Sequence, residues 1–307
     1  MMQRERVAEN VFFFQSEVYA QVTAGAIIGP SWAVIIDTLA IPEETLEIRD
    51  FIEQEINVPV RYVINTHYHA DHSWGNYFFP GATVIGHSLC RQLLEEKGIP
   101  SLNEIRKQNP ALRNVKIILP QISFEEGHLS LKVGKKNLNL FMLPGHSKDN
   151  VAVLVEEDRV LFAGDVCMPL PYIVDGDIDD MIASLKKVGK MGLENVIQGH
   201  GDIILRGEIE NYLKENLAYL SAIRKAVRKA SYRKYPLDLL MEISVESCGK
   251  SRVLIGGLAE ELHQRNLRAL YKQMYGENPA ASPDDYFEED LEERSEGEDE
   301  DEDSDED

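Results

Sequence analysis

The run Thr66-His67-Tyr68-His69-Ala70-Asp71-His72 places three histidines and an aspartate within six positions, and few folds can use so dense a set of ligands. Neutral imidazole nitrogens and carboxylate oxygens are what a borderline divalent ion such as zinc prefers. The preceding residues, Val60-Arg61-Tyr62-Val63-Ile64-Asn65, are rich in β-branched side chains and read as a strand. The cluster therefore sits where a buried strand opens into a loop, a common place for catalytic groups. On an extended chain His67 and His69 point the same way, whereas Asp71 and His72 lie past the turn and can face a neighbouring ion. A loop that is polar by chance would rarely collect His-x-His-x-Asp-His.

Each ion still needs ligands from elsewhere, and three later positions offer them. These are His146 in Leu143-Pro144-Gly145-His146-Ser147, Asp165 in Phe162-Ala163-Gly164-Asp165, and His200 in Gln198-Gly199-His200-Gly201-Asp202. Each follows an apolar, strand-like run and has a glycine beside it that permits a sharp turn or a close approach. His87, His128 and His263 belong to no such pattern and read as surface or capping residues. Cys167, two residues after Asp165, reads as a small buried hydrophobe that shares a face with it.

The set His67-x-His69-x-Asp71-His72, then His146, Asp165 and His200, resembles the metallo-β-lactamase superfamily of binuclear metal hydrolases, from about Gly25 to about Gly201. The resemblance implies that His67, His69 and His146 hold one metal, that Asp71, His72 and His200 hold the other, and that Asp165 bridges them. Asp37, which ends the run Ala33-Val34-Ile35-Ile36, looks like the family's buried aspartate that supports the histidine loop. Two divalent metal ions are the expected cofactors, zinc first, with iron or manganese as alternatives. The implied activity is hydrolysis of an ester, lactone, lactam or thioester by a hydroxide held between the ions, whose charge lowers the pKa of water from about 15.7 towards about 7. Asp71 and Asp165 are the expected catalytic carboxylates, Asp71 as a proton shuttle. A phosphodiesterase or nuclease, an iron-dependent persulfide dioxygenase-like enzyme and a non-catalytic scaffold are the alternatives. The lactonases carry a tyrosine three residues after the bridging aspartate. Here that position is Met168, and Tyr172 follows four residues later, so both become candidate substrate contacts. The segments Asp175-Gly176-Asp177 and Leu262-His263-Gln264-Arg265-Asn266-Leu267 also have the texture of the broad metallohydrolase branch.

Strand-rich blocks punctuated by helices predict an α/β fold, an αββα sandwich of two mixed sheets flanked by helices, with a C-terminal helical appendage. Strands are expected at 11–14, 18–28, 32–37, 83–86, 116–124, 129–133, 138–143, 151–155, 159–162 and 195–198. Helices are expected at 42–55, around 178–188, from 209 to 227, at 237–246 and at 254–275. The domains expected are 1–206 for the sandwich, 207–282 for the appendage, serving as a lid or as the surface of a homodimer, and 283–307 for a disordered acidic tail. From Asp284 to the end there are 17 acidic residues and one arginine, so −16 of the formal −21 belongs to the tail and −5 to the rest. A body charge of −5 argues against nucleic acid as a partner, because phosphate binding is driven by lysine and arginine. The expected partner is a small-molecule substrate with an uncharged or hydrophobic moiety. Three cysteines without a CxxC, and an N-terminal apolar run too short for a leader or a membrane span, predict a cytoplasmic protein with no membrane partner.

Overall fold

The computed structural model describes residues 2–276. The expected acidic tail, 283–307, and the last positions of the expected appendage lie outside the described residues. The first sheet runs in chain order: β1 (Met2–Ala8), β2 (Val11–Ser16), β3 (Thr23–Ile28), β4 (Ala33–Ile36), β5 (Val60–Ile64), β6 (Thr83–His87) and β7 (Ile122–Phe124). Its pairing is antiparallel up to β4 and parallel from β4 to β7. The second sheet contains β8 (His128–Val133), β9 (Lys136–Met142), β10 (Val151–Val155), β11 (Val160–Phe162), β12 (Asn195–Ile197) and β13 (Ile204–Leu205), in the order β13-β12-β11-β10-β9-β8. Only β11 and β12 pair in parallel there. The helices are α1 (Pro42–Asp50), α2 (Ala70–Ser73), α3 (Ser88–Leu93), α4 (Ile99–Ile105), α5 (Ile178–Gly189), α6 (Ile209–Ser231), α7 (Pro236–Met241) and α8 (Ala259–Tyr275).

Three layers of apolar side chains hold the sandwich together. Between the sheets, Phe13, Ile27, Val34 and Ile64 meet Leu138, Leu140, Val153 and Phe162. Outside the first sheet, Ile48 of α1 and the π-helical turn after it, with Phe51 and Ile52, cover Ala24, Ala26, Ile35 and Val63. Outside the second sheet, α5, α6 and α8 cover Ala152, Leu154 and Leu161. Strands covered on both faces need apolar residues at every position, which is why β4 (Ala-Val-Ile-Ile) and β10 (Val-Ala-Val-Leu-Val) are uninterrupted apolar runs. The architecture is the expected αββα sandwich with a helical C-terminal part.

Several local expectations change. β1 was not expected, because Met-Gln-Arg-Glu-Arg-Val-Ala is an edge strand recruited by pairing with β2 rather than by an apolar pattern. The strand expected at 18–28 starts only at Thr23, since Ala20 and Gln21 turn the chain with φ of 48° and 52°. That expected at 116–124 pairs only over Ile122–Phe124. The helix expected at 237–246 stops at Met241, and a 3₁₀ turn, Val245–Cys248, follows. His263 is not at the surface. It is fully buried between the Tyr219 hydroxyl and the Ile243 carbonyl. His87 caps α3 by accepting from the Leu89 N–H, and Cys167 is wholly buried.

The ends of β4, β5, β11 and β12 meet at one edge of the sandwich. Hydrogen bonds join the sheets there, among them those from Thr23 N–H to the Gly199 carbonyl (2.9 Å) and from Val151 N–H to the Thr66 carbonyl (2.8 Å). Gly25 on β3 allows the sheets to close, because a Cβ at that position would overlap the Phe162 ring. Gly25→Ala should therefore cost about 1–3 kcal/mol by overpacking, and Phe162→Ala about 3–5 kcal/mol by cavity formation. Urea unfolding of both and of the double variant checks this: the double variant should lose less than the sum, because the cavity accommodates the added methyl.

Candidate metal centre

β5 delivers the chain to Asn65, the chain bends through Thr66, His67 and Tyr68, and His69 immediately precedes α2, so Asp71 and His72 lie on a single helical turn. His146 follows β9, Asp165 follows β11 and His200 follows β12. The glycines beside them are required. Gly164 has φ of +57°, and a side chain at Gly199 would overlap the Asp165 carboxylate.

The seven side chains converge in two sets. His67, His69, His146 and Asp165 offer ligand atoms that all lie within 4.8 Å of one another, as do those of Asp71, His72 and His200. The inner nitrogens of the first set nearly touch: His67 Nε2 to His69 Nδ1 is 3.0 Å, and His146 Nε2 to His69 Nδ1 is 2.9 Å. Asp165 lies between the sets. Its Oδ2 is 3.3 Å from His146 Nε2 and 3.4 Å from His200 Nε2, and its Oδ1 is 3.2 Å from His72 Nε2. Asp71 Oδ2 is 3.4 Å from His200 Nε2.

The outer nitrogen of every ring is tethered, which turns the other nitrogen inward. His72 Nδ1 donates to Asp37 (2.9 Å), His146 Nδ1 to the Tyr172 carbonyl (2.7 Å) and His200 Nδ1 to the Ala20 carbonyl (2.8 Å). His69 Nε2 donates to Asp175 (2.9 Å), and His67 Nδ1 contacts the Thr66 hydroxyl (3.0 Å). Asp37 is buried at φ of +57° and also accepts from Thr66 N–H (2.8 Å) and Thr66 Oγ1 (2.7 Å), so it locks the start of the histidine loop. Asp175 is the residue whose place sequence reasoning missed. It lies 106 residues from His69, and nothing in its spacing marks it as that histidine's partner. Tyr68 (2.5 Å) and Lys97 (3.2 Å) hold the same carboxylate.

Inner nitrogens 2.9–3.0 Å apart, each on a ring whose other nitrogen already donates, cannot all bond one another with neutral rings. His72 Nε2 and Asp165 Oδ1 are buried without a hydrogen-bond partner, being 3.2 Å apart yet misaligned. A cation in each set would satisfy all of these atoms, so the donor chemistry fits divalent ions. Protonation follows the same division. Burial pushes His67 well below the ordinary histidine range and His146 down to about 4. At His72 and His200 burial acts the same way but is outweighed, chiefly by the Asp165 carboxylate, and both are raised. Asp165 is held well below the carboxylate range: burial opposes this, but His72, His200, His146 and His67 outweigh it.

Above the cluster lies a cavity of about 520 Å³. His69, Asp71, His146, Asp165 and His200 form its floor, and Val18, Tyr19, Met168, Tyr172, Ile255, Leu258 and Leu262 its walls. Met168 and Tyr172 thus reach the cavity, the Tyr172 ring 5.6 Å from that of His146. Arg265 is the only lysine or arginine among the described residues that lines it.

Residues 20–200 match the family model of the metallo-beta-lactamase superfamily. Among curated proteins, the chain is 26% identical over 260 residues to the lactamase-like protein nscB of Trichophyton rubrum, covering 80% of this chain and 73% of that one. It is 26% identical over 191 residues to the thioesterase pkgB of Emericella nidulans, covering 61% and 48%. The chain spans about half the length of several of the curated relatives it matches. Among solved structures, a metallo-beta-lactamase from Pontibacter korlensis superposes with a TM-score of 0.58 at 19% identity, covering 70% of this chain and 98% of that one. Asp37→Ala removes the tether of His72 and should weaken divalent-metal binding by about 10–100-fold. Elemental analysis after dialysis against graded chelator measures this.

Proposed function

The chain belongs to the metallo-β-lactamase superfamily, and from that premise we propose that it is a metal-dependent hydrolase of a small acyl compound, with an ester or thioester as its scissile bond. The observation that carries the reading is the pairing of two ligand sets around one shared carboxylate, Asp165, on the floor of a cavity whose walls are largely apolar, with Glu261 and Arg265 as the charged exceptions. His67, His69 and His146 would hold one ion, Asp71, His72 and His200 the other, and Asp165 both. Divalent ions, zinc first, supply Lewis acidity towards a substrate oxygen and make water acidic enough to serve as a nucleophile near neutral pH.

The chain's own residues supply the rest. Asp71 combines a ligand position with exposure to the cavity, which suits it to take a proton from water and return it to the leaving group. Met168, Tyr172, Tyr19 and Leu262 exclude water from the reacting carbonyl and accept an apolar acyl group. The buried Asp37 keeps the histidine loop in place while substrate enters and leaves. A thioesterase among the relatives supports acyl transfer to water over the other chemistries. Cavity walls with a single arginine and no lysine among the described residues suit a polyanion such as RNA poorly.

The test is a chromogenic panel (thioester, carboxylate ester, lactone, lactam and phosphodiester) given to zinc-reconstituted protein beside Asp165→Ala. Turnover of the thioester or ester is expected, with a loss of at least about 100-fold in the variant at unchanged circular dichroism. Turnover that survives both the substitution and chelation would contradict the proposal.

A further inference from the structure

Two of the three histidines in the first set are oriented by one irregular segment, residues 168–177. Its Tyr172 carbonyl accepts from His146 Nδ1 (2.7 Å), and its Asp175 carboxylate accepts from His69 Nε2 (2.9 Å). The segment also lies directly on the His146 turn. Gly176 packs on the Gly145 carbonyl so closely that no side chain would fit, and Asp177 N–H donates to that carbonyl (3.0 Å). None of the residues tethering His72 or His200 comes from this segment.

A segment with Pro169 and Pro171 lacks two N–H donors and cannot make a ladder of its own, yet its buried carbonyls need partners. The C-terminal helices provide them. From α6, Tyr212 Oη (2.9 Å) and Asn216 Nδ2 (3.3 Å) donate to the Met168 carbonyl. From α8, Asn266 Nδ2 donates to the Pro171 carbonyl (2.7 Å), Asn266 Oδ1 accepts from Ile173 N–H (2.9 Å), and Gln273 Nε2 donates to the Gly176 carbonyl (2.6 Å). Asn266 is fully buried, and its second amide hydrogen bonds the Tyr219 hydroxyl (3.1 Å). That hydroxyl donates to His263 Nδ1 (2.9 Å), and His263 Nε2 donates to the Ile243 carbonyl (3.1 Å). Both side-chain polar atoms of Asn266 are thus engaged in a directed chain that runs from the helical core into the segment. A complete buried network of this kind fixes one arrangement, and loss of a member leaves other members unpaired.

We propose that Asn266 is a positioning residue through which the C-terminal helices set the affinity of the His67, His69 and His146 set for its ion, leaving the Asp71, His72 and His200 set unaffected. The helices act on the centre without touching it: Asn266 holds 171–173, and that segment holds His146 and His69. The histidine and asparagine of Leu262-His263-Gln264-Arg265-Asn266-Leu267 serve this brace. The inference rests on the metal-centre reading above.

The test measures zinc affinity by competition with a chromophoric chelator in two backgrounds. His200→Ala leaves the three-histidine set intact, and His69→Ala leaves the other set intact. Asn266→Leu should raise the zinc dissociation constant by about 10–100-fold in the first background and leave it nearly unchanged in the second. Equal weakening in both backgrounds, or none in either, would overturn the proposal. Should Asn266→Leu not fold, two milder variants decide in the same assay. Asn266→Asp keeps the acceptor for Ile173 N–H, and Gln273→Ala removes only the bond to Gly176 at the exposed end of α8. Each should shift affinity in the first background alone, by less than Asn266→Leu, and a lack of that selectivity counts against the brace. Failure of the metal reading itself would appear differently, as wild-type protein that takes up no zinc.

Discussion

One buried carboxylate organises this end of the molecule. Asp165 sits among four imidazoles, with one oxygen facing His72 and the other facing His146, His67 and His200. A charge buried so deeply persists only if it is compensated, and the four imidazoles that face it are arranged for that compensation. The tethers on the outer ring nitrogens follow from the same demand. Rings free to rotate could turn away from one another, whereas rings held by Asp37, Asp175 and the carbonyls of Tyr172 and Ala20 cannot. The inward-facing nitrogens are preorganised for cations at the cost of mutual repulsion in their absence.

The fold makes this crowding possible. Parallel pairs β4–β5 and β11–β12 belong to different sheets yet end at the same edge, so Asp37 and the histidine loop from one sheet face Asp165 and His200 from the other. Loops at strand ends can carry such strained, polar geometry because rigid, fully apolar strands position them. The C-terminal helices cover the second sheet with an apolar face and supply, through the same helices, side chains that satisfy the loop over the site.

Much of this was legible in the sequence, for physical reasons. The αββα class could be read because strands buried on both faces, such as Val151–Val155, must be apolar throughout. The seven converging residues could be read because the dense histidine loop and glycine-flanked His146, Asp165 and His200 are visible locally, and because their combination resembles a family. What was hidden depended on tertiary pairing. β1 is a polar edge strand that only its neighbour makes a strand. Asp175 meets His69 across 106 residues, and His263 looks like any polar histidine until α6 closes over it. Asn266 carries no local signal of its connection to a segment 93 residues earlier.

The central claim is that the two ligand sets form one paired centre joined by Asp165. The most direct test is the number of divalent ions bound per chain after reconstitution, counted by elemental mass spectrometry against protein concentration. Two ions are expected for the wild type and at most one for Asp165→Ala. A wild type that binds a single ion or none at saturating metal, or a variant that still binds two, would contradict it.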